Sequence, residues 1–106
     1  MTDQYKKLDQ RQVPNAATTL LTATAGMQYI ITHIRVVNTT GAVATVKLWH
    51  DGVADVNVIL PAVDLLAGGW GEFDGNILLE PGDTLSAISD TNLAVTCTVY
   101  GLETAA

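Results

Sequence analysis

Apolar positions alternate along this chain in short runs, and turn-forming residues cut the runs at regular intervals. "YIITHIRVV" is closed by Asn38-Thr39-Thr40-Gly41, "AVATVKLW" by His50-Asp51-Gly52, and "NILLE" by Pro81-Gly82-Asp83. "TLSAIS" and "LAVTCTVYG" follow. No credible helix separates these runs. The pattern predicts an all-β fold: a compact antiparallel β-sandwich, jelly-roll-like, of about eight strands.

Element by element, residues 1–16 read as a polar N-terminal arm containing one edge strand, in front of a sandwich domain over residues 17–106. Pro14 pushes Val13 towards an extended conformation and ends any helix there. Residues 17–25 form a first short strand, turned by Gly26. Residues 28–38 form the longest strand, with Ile30, Thr32, Ile34 and Val36 on one face and Tyr29, Ile31, His33, Arg35 and Val37 on the other. Both faces are partly apolar, which places this strand centrally in its sheet. Residues 42–50 alternate cleanly: Ala44, Val46 and Leu48 point inward, Thr45, Lys47 and Trp49 outward. "NTTGA" is expected to join these two strands as a tight hairpin. "VNVILP" is a short strand ended by Pro61. Residues 62–76, with Trp70 and Phe73, fit either a bulged strand or a long loop that packs its aromatics on the sandwich. "ILLEPGDTLSAIS" is expected as a second hairpin, with Pro81-Gly82 at its bend. The last strand, 93–101, puts Leu93, Val95, Cys97 and Val99 on one face.

Composition supports strands, with 14 Thr and 11 Val among the 106 residues, both β-branched. The net charge of −6 argues against nucleic acid as a partner, because binding to phosphates needs cations. The charge is uneven. Lys6, Lys7 and Arg11 crowd the N-terminus, and only Arg35 and Lys47 follow them. A basic arm ahead of an acidic body suggests a segment that contacts something else, and a frayed terminus is the plain alternative. Cys97 is the sole cysteine and reads as a small buried hydrophobe. No apolar run approaches the roughly 20 residues of a membrane helix, and the N-terminus lacks a signal-peptide core. The expectation is a soluble protein made in a cytoplasm, with no membrane partner.

The search for chemistry returns little. Cys97 with His33 or His50 is the one Cys/His combination, and an apolar strand makes the thiol inert. His50 beside Asp51 offers two metal ligands, too few for a site. Asp51, Asp55 and Asp64 match no calcium-loop spacing. Glu72, beside Trp70 and Phe73, lacks the second carboxylate of a glycosidase. "GGWG" has neither the spacing nor the helix of a phosphate loop. The reading is a chain that is not an enzyme and carries no cofactor and no metal.

The order of elements, from "YIITHIRVVNTTG" through "VKLWHDG" and "ILLEPGDTLSAIS" to "VTCTVYGLE", resembles a family of small β-sandwich virion structural proteins of tailed bacteriophages. The resemblance spans roughly residues 17–103 and rests on hydrophobic pattern and turns. It implies a capsid decoration (cement) protein, or alternatively a collar, neck or tail accessory, located in the virion. It implies no catalytic residues. The expected partners are other copies of the chain, a trimer being preferred, and the major capsid protein or another virion protein. Tyr5, Lys6, Lys7, Leu8 and Arg11 of the arm, with Trp49 and Trp70, are the candidate partner-binding residues; for the two tryptophans, filling the sandwich core is the equal alternative. A further alternative is a carbohydrate-binding module, for which Trp49, Trp70 and Tyr100 would form the stacking platform.

Overall fold

The computed structural model describes residues 4–106. The alternating runs become eight strands: β1 (Gln4–Val13), β2 (Thr18–Thr22), β3 (Met27–Asn38), β4 (Ala44–His50), β5 (Val58–Leu65), β6 (Trp70–Leu79), β7 (Thr84–Ser89) and β8 (Val95–Ala105). A single 3-10 turn, Asp55–Asn57, is the one helical element among the described residues. Two four-stranded sheets face each other, one in the order β1-β8-β3-β6 and the other β2-β7-β4-β5. All pairings are antiparallel. The strand order is that of a jelly roll. The core between the sheets is aliphatic, with Val13, Ile31, Ile34, Val46, Leu48 and Leu79 among its most buried side chains.

Both expected hairpins turn where the sequence places them, yet neither is a hairpin. β3 and β4 lie in opposite sheets, as do β6 and β7, and β4–β5 is the only connection between strands that pair with each other. Asn and Gly, like Pro and Gly, mark a reversal of the chain; they do not fix which strand receives it. What holds the β3–β4 crossing is Asn38, fully buried. Its Nδ2 donates to the carbonyls of Ala42 (2.7 Å), Leu65 (2.9 Å) and Leu66 (3.1 Å), and its Oδ1 accepts from the Thr40 N–H (3.0 Å). One amide thereby ties this crossing to the end of β5. At the β6–β7 crossing the Gly82 N–H donates to Ala23 O at 2.9 Å, with Gly82 at φ +91°, where glycine is favoured.

Three other segments differ from the sequence pattern. Residues 4–13, read as part of an arm, form a ten-residue edge strand of the sandwich, paired with β8 from Gln4↔Glu103 to Val13↔Val95. Residues 1–3 of that arm lie outside the described residues. Polar residues suffice here because one face and one edge of β1 meet solvent. β5 runs through Pro61, which is tolerated because β5 is an edge strand and Pro61 sits at a register shift. Residues 62–76 resolve into the end of β5, a turn, and β6.

A further difference sets the faces of β3. Strict alternation put Tyr29 and Ile31 on the face opposite Ile34. All three are buried, at 7%, 1% and 1% exposure. A bulge at Thr32 shifts the register between Ile31 and His33 against both neighbouring strands. The extra residue inverts the side-chain parity, so apolar residues on both sides of it reach the core. Gly101 of β8 makes room for it. A Cβ there would stand 2.2 Å from Ile30 O and 2.9 Å from Ile31 Cα. Replacing Gly101 by Ala is expected to destabilise the fold by about 1–3 kcal/mol, the range for overpacking a core. The same change at Gly41, which has nothing within 4 Å, is expected to be near neutral. Urea denaturation of the two variants makes the comparison.

Candidate functional site

Downstream of the bulge, β3 turns His33 and Arg35 to the outside of the first sheet. β6, paired with it at His33↔Asp74, Arg35↔Glu72 and Val37↔Trp70, presents its acids and its indole beside them. The result is a ladder across two strands. Trp70 is 58% exposed, and Arg35 Cζ lies 4.6 Å from its ring centroid. Arg35 Nη1 donates to Glu72 Oε1 at 3.3 Å. His33 Nε2 is 3.7 Å from the same Glu72 oxygen, and its Nδ1 is 2.5 Å from Asp74 Oδ1. The Tyr100 ring on β8 closes the row, 5.8 Å from the His33 ring.

His33, Glu72 and Asp74 place one ligand atom each within 4.8 Å of one another. The arrangement does not fit a metal well. The two acids approach different nitrogens of the imidazole, so an ion on one nitrogen leaves one acid behind. The Arg35 guanidinium already occupies Glu72. The cluster is better described as a cross-strand Arg35–Glu72 ion pair and a His33–Asp74 hydrogen bond that order the sheet face.

Under β6 lies a second feature, an apolar cleft of about 120 Å³ at the side where the two sheets' edge strands, β5 and β6, approach. Ile34, Val36, Leu48, Leu60, Val63 and Phe73 contribute its walls, and Gly71 leaves it unfilled. Its apolar lining was invisible in the sequence, because β5 and β6 belong to opposite sheets. Among the described residues, exposed Leu66 and Trp70 flank the β5–β6 connection beside it, while exposed Leu78 lies near the far end of β6 and Val53 and Val56 in the β4–β5 loop.

The candidate residues separate. Trp70 is exposed, as a partner-binding residue must be. Trp49 is buried, 6% exposed, with Lys47 Nζ 5.2 Å from its ring, and its Nε1 finds no acceptor among the described residues. It cannot share a platform with Trp70 and Tyr100. Those two do share a face, but their β3 partners, Val37 and His33, are four positions apart, about 13 Å.

On β1, Tyr5 is exposed, and Leu8 sits at a register shift with its side chain packed against the core. Lys6 pairs with Glu103 at 3.0 Å and Lys7 Nζ donates to Gln10 at 3.2 Å. Arg11 is the most committed. Its Nε and Nη2 donate to the two Asp9 oxygens at 2.9 and 3.0 Å, and Nη2 also donates to Leu20 O at 2.9 Å. Arg11 therefore bridges β1 to β2 of the opposite sheet, and its bond to Asp9 holds its pKa above the ordinary value. These cations serve the sandwich itself, which departs from the expected basic arm.

Cys97 is fully buried on the inner face of β8, with His33 on the outer face of the same sheet, so the two form no dyad. His50 is turned away as well: its Nε2 donates to Leu78 O at 2.9 Å.

No protein-family model matches the chain, and no curated protein sequence does. Solved structures resemble it in outline. A family 35 carbohydrate-binding module from Clostridium thermocellum aligns over 100% of both chains with a TM-score of 0.42 and 13% identity. A chain in the structure of infectious bursal disease virus, Gt strain, aligns over 97% of this chain and 30% of its own length, at TM-score 0.44 and 10% identity. At this distance the likenesses add nothing to what the strand order already states.

Two outcomes follow from the geometry. Arg11→Ala is expected to cost about 1–2 kcal/mol, given that the guanidinium is partly exposed, and Arg11→Lys to restore less than half, since lysine lacks the fork that reaches both Asp9 and β2. Denaturant titration measures both. For Cys97, burial pushes the thiol up to about 12 from 9.0. A raised thiol pKa stabilises the fold fully below the unfolded value, and that stability is lost as pH rises through it. From about pH 8 to about pH 10 the wild type is expected to lose on the order of 1 kcal/mol more than Cys97→Val. The folded thiol is expected to stay unreactive towards a disulfide reagent at about pH 8.

Proposed function

We propose that this chain is a structural protein of a virion, a decoration protein that docks on a bacteriophage capsid and reinforces it as a homo-oligomer. The observation that carries this reading is the apolar cleft between β5 and β6, with Leu66 and Trp70 exposed beside it; exposed apolar surface at a cleft marks contacts with other proteins. The jelly roll and the resemblance of its strand pattern to phage virion proteins supply the context. A closed oligomer, a trimer preferred, suits a small domain that acts by repetition. Docking runs through the β5–β6 side rather than through the N-terminal cations, which the sandwich itself engages. A collar, neck or tail accessory is the neighbouring reading and uses the same surface on a different partner.

A carbohydrate-binding module is the second reading, favoured by one observation: an exposed Trp70 beside a row of hydrogen-bonding side chains, Arg35, Glu72, His33 and Asp74. An indole face stacks on a pyranose, and such polar groups bind hydroxyls.

Quantitative mass spectrometry of purified virions separates the placements. Hundreds of copies per particle are expected; about a dozen would indicate collar or tail, and none would remove the virion reading. A glycan array tests the alternative. Binding to one sugar class that falls at least tenfold in Trp70→Ala would favour the module.

A further inference from the structure

A jelly roll of two four-stranded sheets has four edge strands, and three of these are blunted. β1 carries Lys6, Lys7 and a register shift at Leu8. β2 is five residues long and also shifted. β5 contains Pro61 and two shifts. These are the devices by which sheets refuse further strands. The first half of β6, Trp70–Asp74, holds no proline and no lysine, pairs with β3 without a shift (the shift falls after Asp74), and has no neighbour on its other side among the described residues.

Two hydrogen bonds fix which backbone groups face that open side. The Asn38 N–H donates to Gly69 O at 2.8 Å, so position 69 turns towards β3. At the other end, Leu78 O is taken by His50 Nε2 of the opposite sheet, so position 78 turns away from β3. Alternation from Gly69 along the unshifted stretch directs the N–H and C=O groups of Trp70, Glu72 and Asp74 to the free edge. Directly beneath, Gly71 faces inward without a side chain, above the apolar cleft of about 120 Å³. That volume suits a single branched or aromatic group; a cavity of roughly 150 Å³ holds benzene. A strand laid along β6 would send every second side chain to the inner face, and the one beside Gly71 would enter the cleft.

Charge specifies what flanks that side chain. Glu72 and Asp74 already face Arg35 and His33 of β3, yet the stretch from Asp51 to Glu80 adds Asp51, Asp55, Asp64 and Glu80 with no Lys or Arg, so it remains acidic. We propose that Trp70–Asp74 is a strand-addition site for an extended segment of a partner protein, one with a single apolar anchor residue between lysines or arginines. Main-chain bonds supply affinity, and the cleft and the acids supply selectivity. This rests on the reading that the chain docks on another protein. A second copy of the chain does not fit the site. Two β6 strands would bring Glu72 and Asp74 against their own counterparts, and the free edge of the one basic strand, β1, is interrupted by its register shift at Leu8.

The probe is a synthetic peptide of about ten residues, alternating Thr with Lys and carrying one central Leu, added to the isotope-labelled full chain. Binding is expected to shift and protect the amides of Trp70, Glu72 and Asp74 and to leave those of β1 unchanged. Replacing the peptide's Leu by Ser, or its Lys by Glu, is expected to weaken binding at least tenfold. Gly71→Leu, whose Cβ meets only Val36 Cγ2 at 3.6 Å and Leu65 Cδ2 at 3.9 Å, fills the cleft and is expected to do the same. If that variant melts early, the peptide substitutions decide. No binding, binding indifferent to the Leu, or protection elsewhere overturns the proposal. Capsid binding is read in parallel. A chain that binds the peptide but not capsids keeps the edge site and loses the capsid reading. A Gly71→Leu variant that still binds capsids overturns the edge as the docking site and keeps that reading.

Discussion

The close approach of Gly101 to β3 is the constraint on which the rest of the first sheet depends. Only a residue without a Cβ lets the Ile30–Thr32 backbone bulge towards β8, where Ile30 O would lie 2.2 Å from a methyl group. The bulge reverses the parity of β3 at its middle. Tyr29 and Ile31 before it, and Ile34 and Val36 after it, all reach the core. By the same reversal His33 and Arg35 face outward, opposite Asp74 and Glu72 of β6. The polar ladder, the stacking of Arg35 on Trp70 and the burial of four core residues are consequences of one inserted residue.

A second constraint is topological. Because nearly every connection crosses between sheets, the ends and one edge of the sandwich must be fastened by groups other than ladder bonds. Asn38 does this at the β3–β4 crossing, where a single buried amide gathers three carbonyls. Arg11 does it at the β1–β2 edge, reaching from one sheet to a carbonyl of the other. In both places the side chain is committed to structure, although Arg11 read in the sequence as part of a free basic arm. Hydrogen-bond capacity that the fold consumes is not available to a partner.

What is left available lies on the opposite edge. There β5 and β6 do not pair, because they belong to different sheets, and the gap between them is apolar, acidic at its margin and bordered by exposed Leu66 and Trp70. The β1–β2 edge is closed by charge and the β5–β6 edge is open. That polarity gives the domain one side fastened across the sheets by charge and one side left open between them.

The sequence alone carried the fold class. Short apolar runs with Thr and Val, cut by Asn-Gly and Pro-Gly turns, have no other economical burial than two sheets, and strands such as Ala44–His50 and Val95–Val99 follow their alternation because no bulge disturbs their inward faces. The sequence also marked Cys97 as buried and Trp70 as a contact candidate. The tertiary structure alone decided which strands pair. Turn residues encode a change of direction, while the partner across a ladder is chosen by the packing of the whole sandwich, so two expected hairpins became crossings. It also decided the parity of β3, since the signal for the bulge is a glycine about seventy residues away in another strand. And it decided where Trp49 and the N-terminal cations go, because a polar or aromatic residue on an outward-reading position can still be covered or paired by segments distant in the chain. The candidate contact side was legible only in part for the same reason: its cleft is assembled from β3, β4, β5 and β6, and no local pattern records a gap between them.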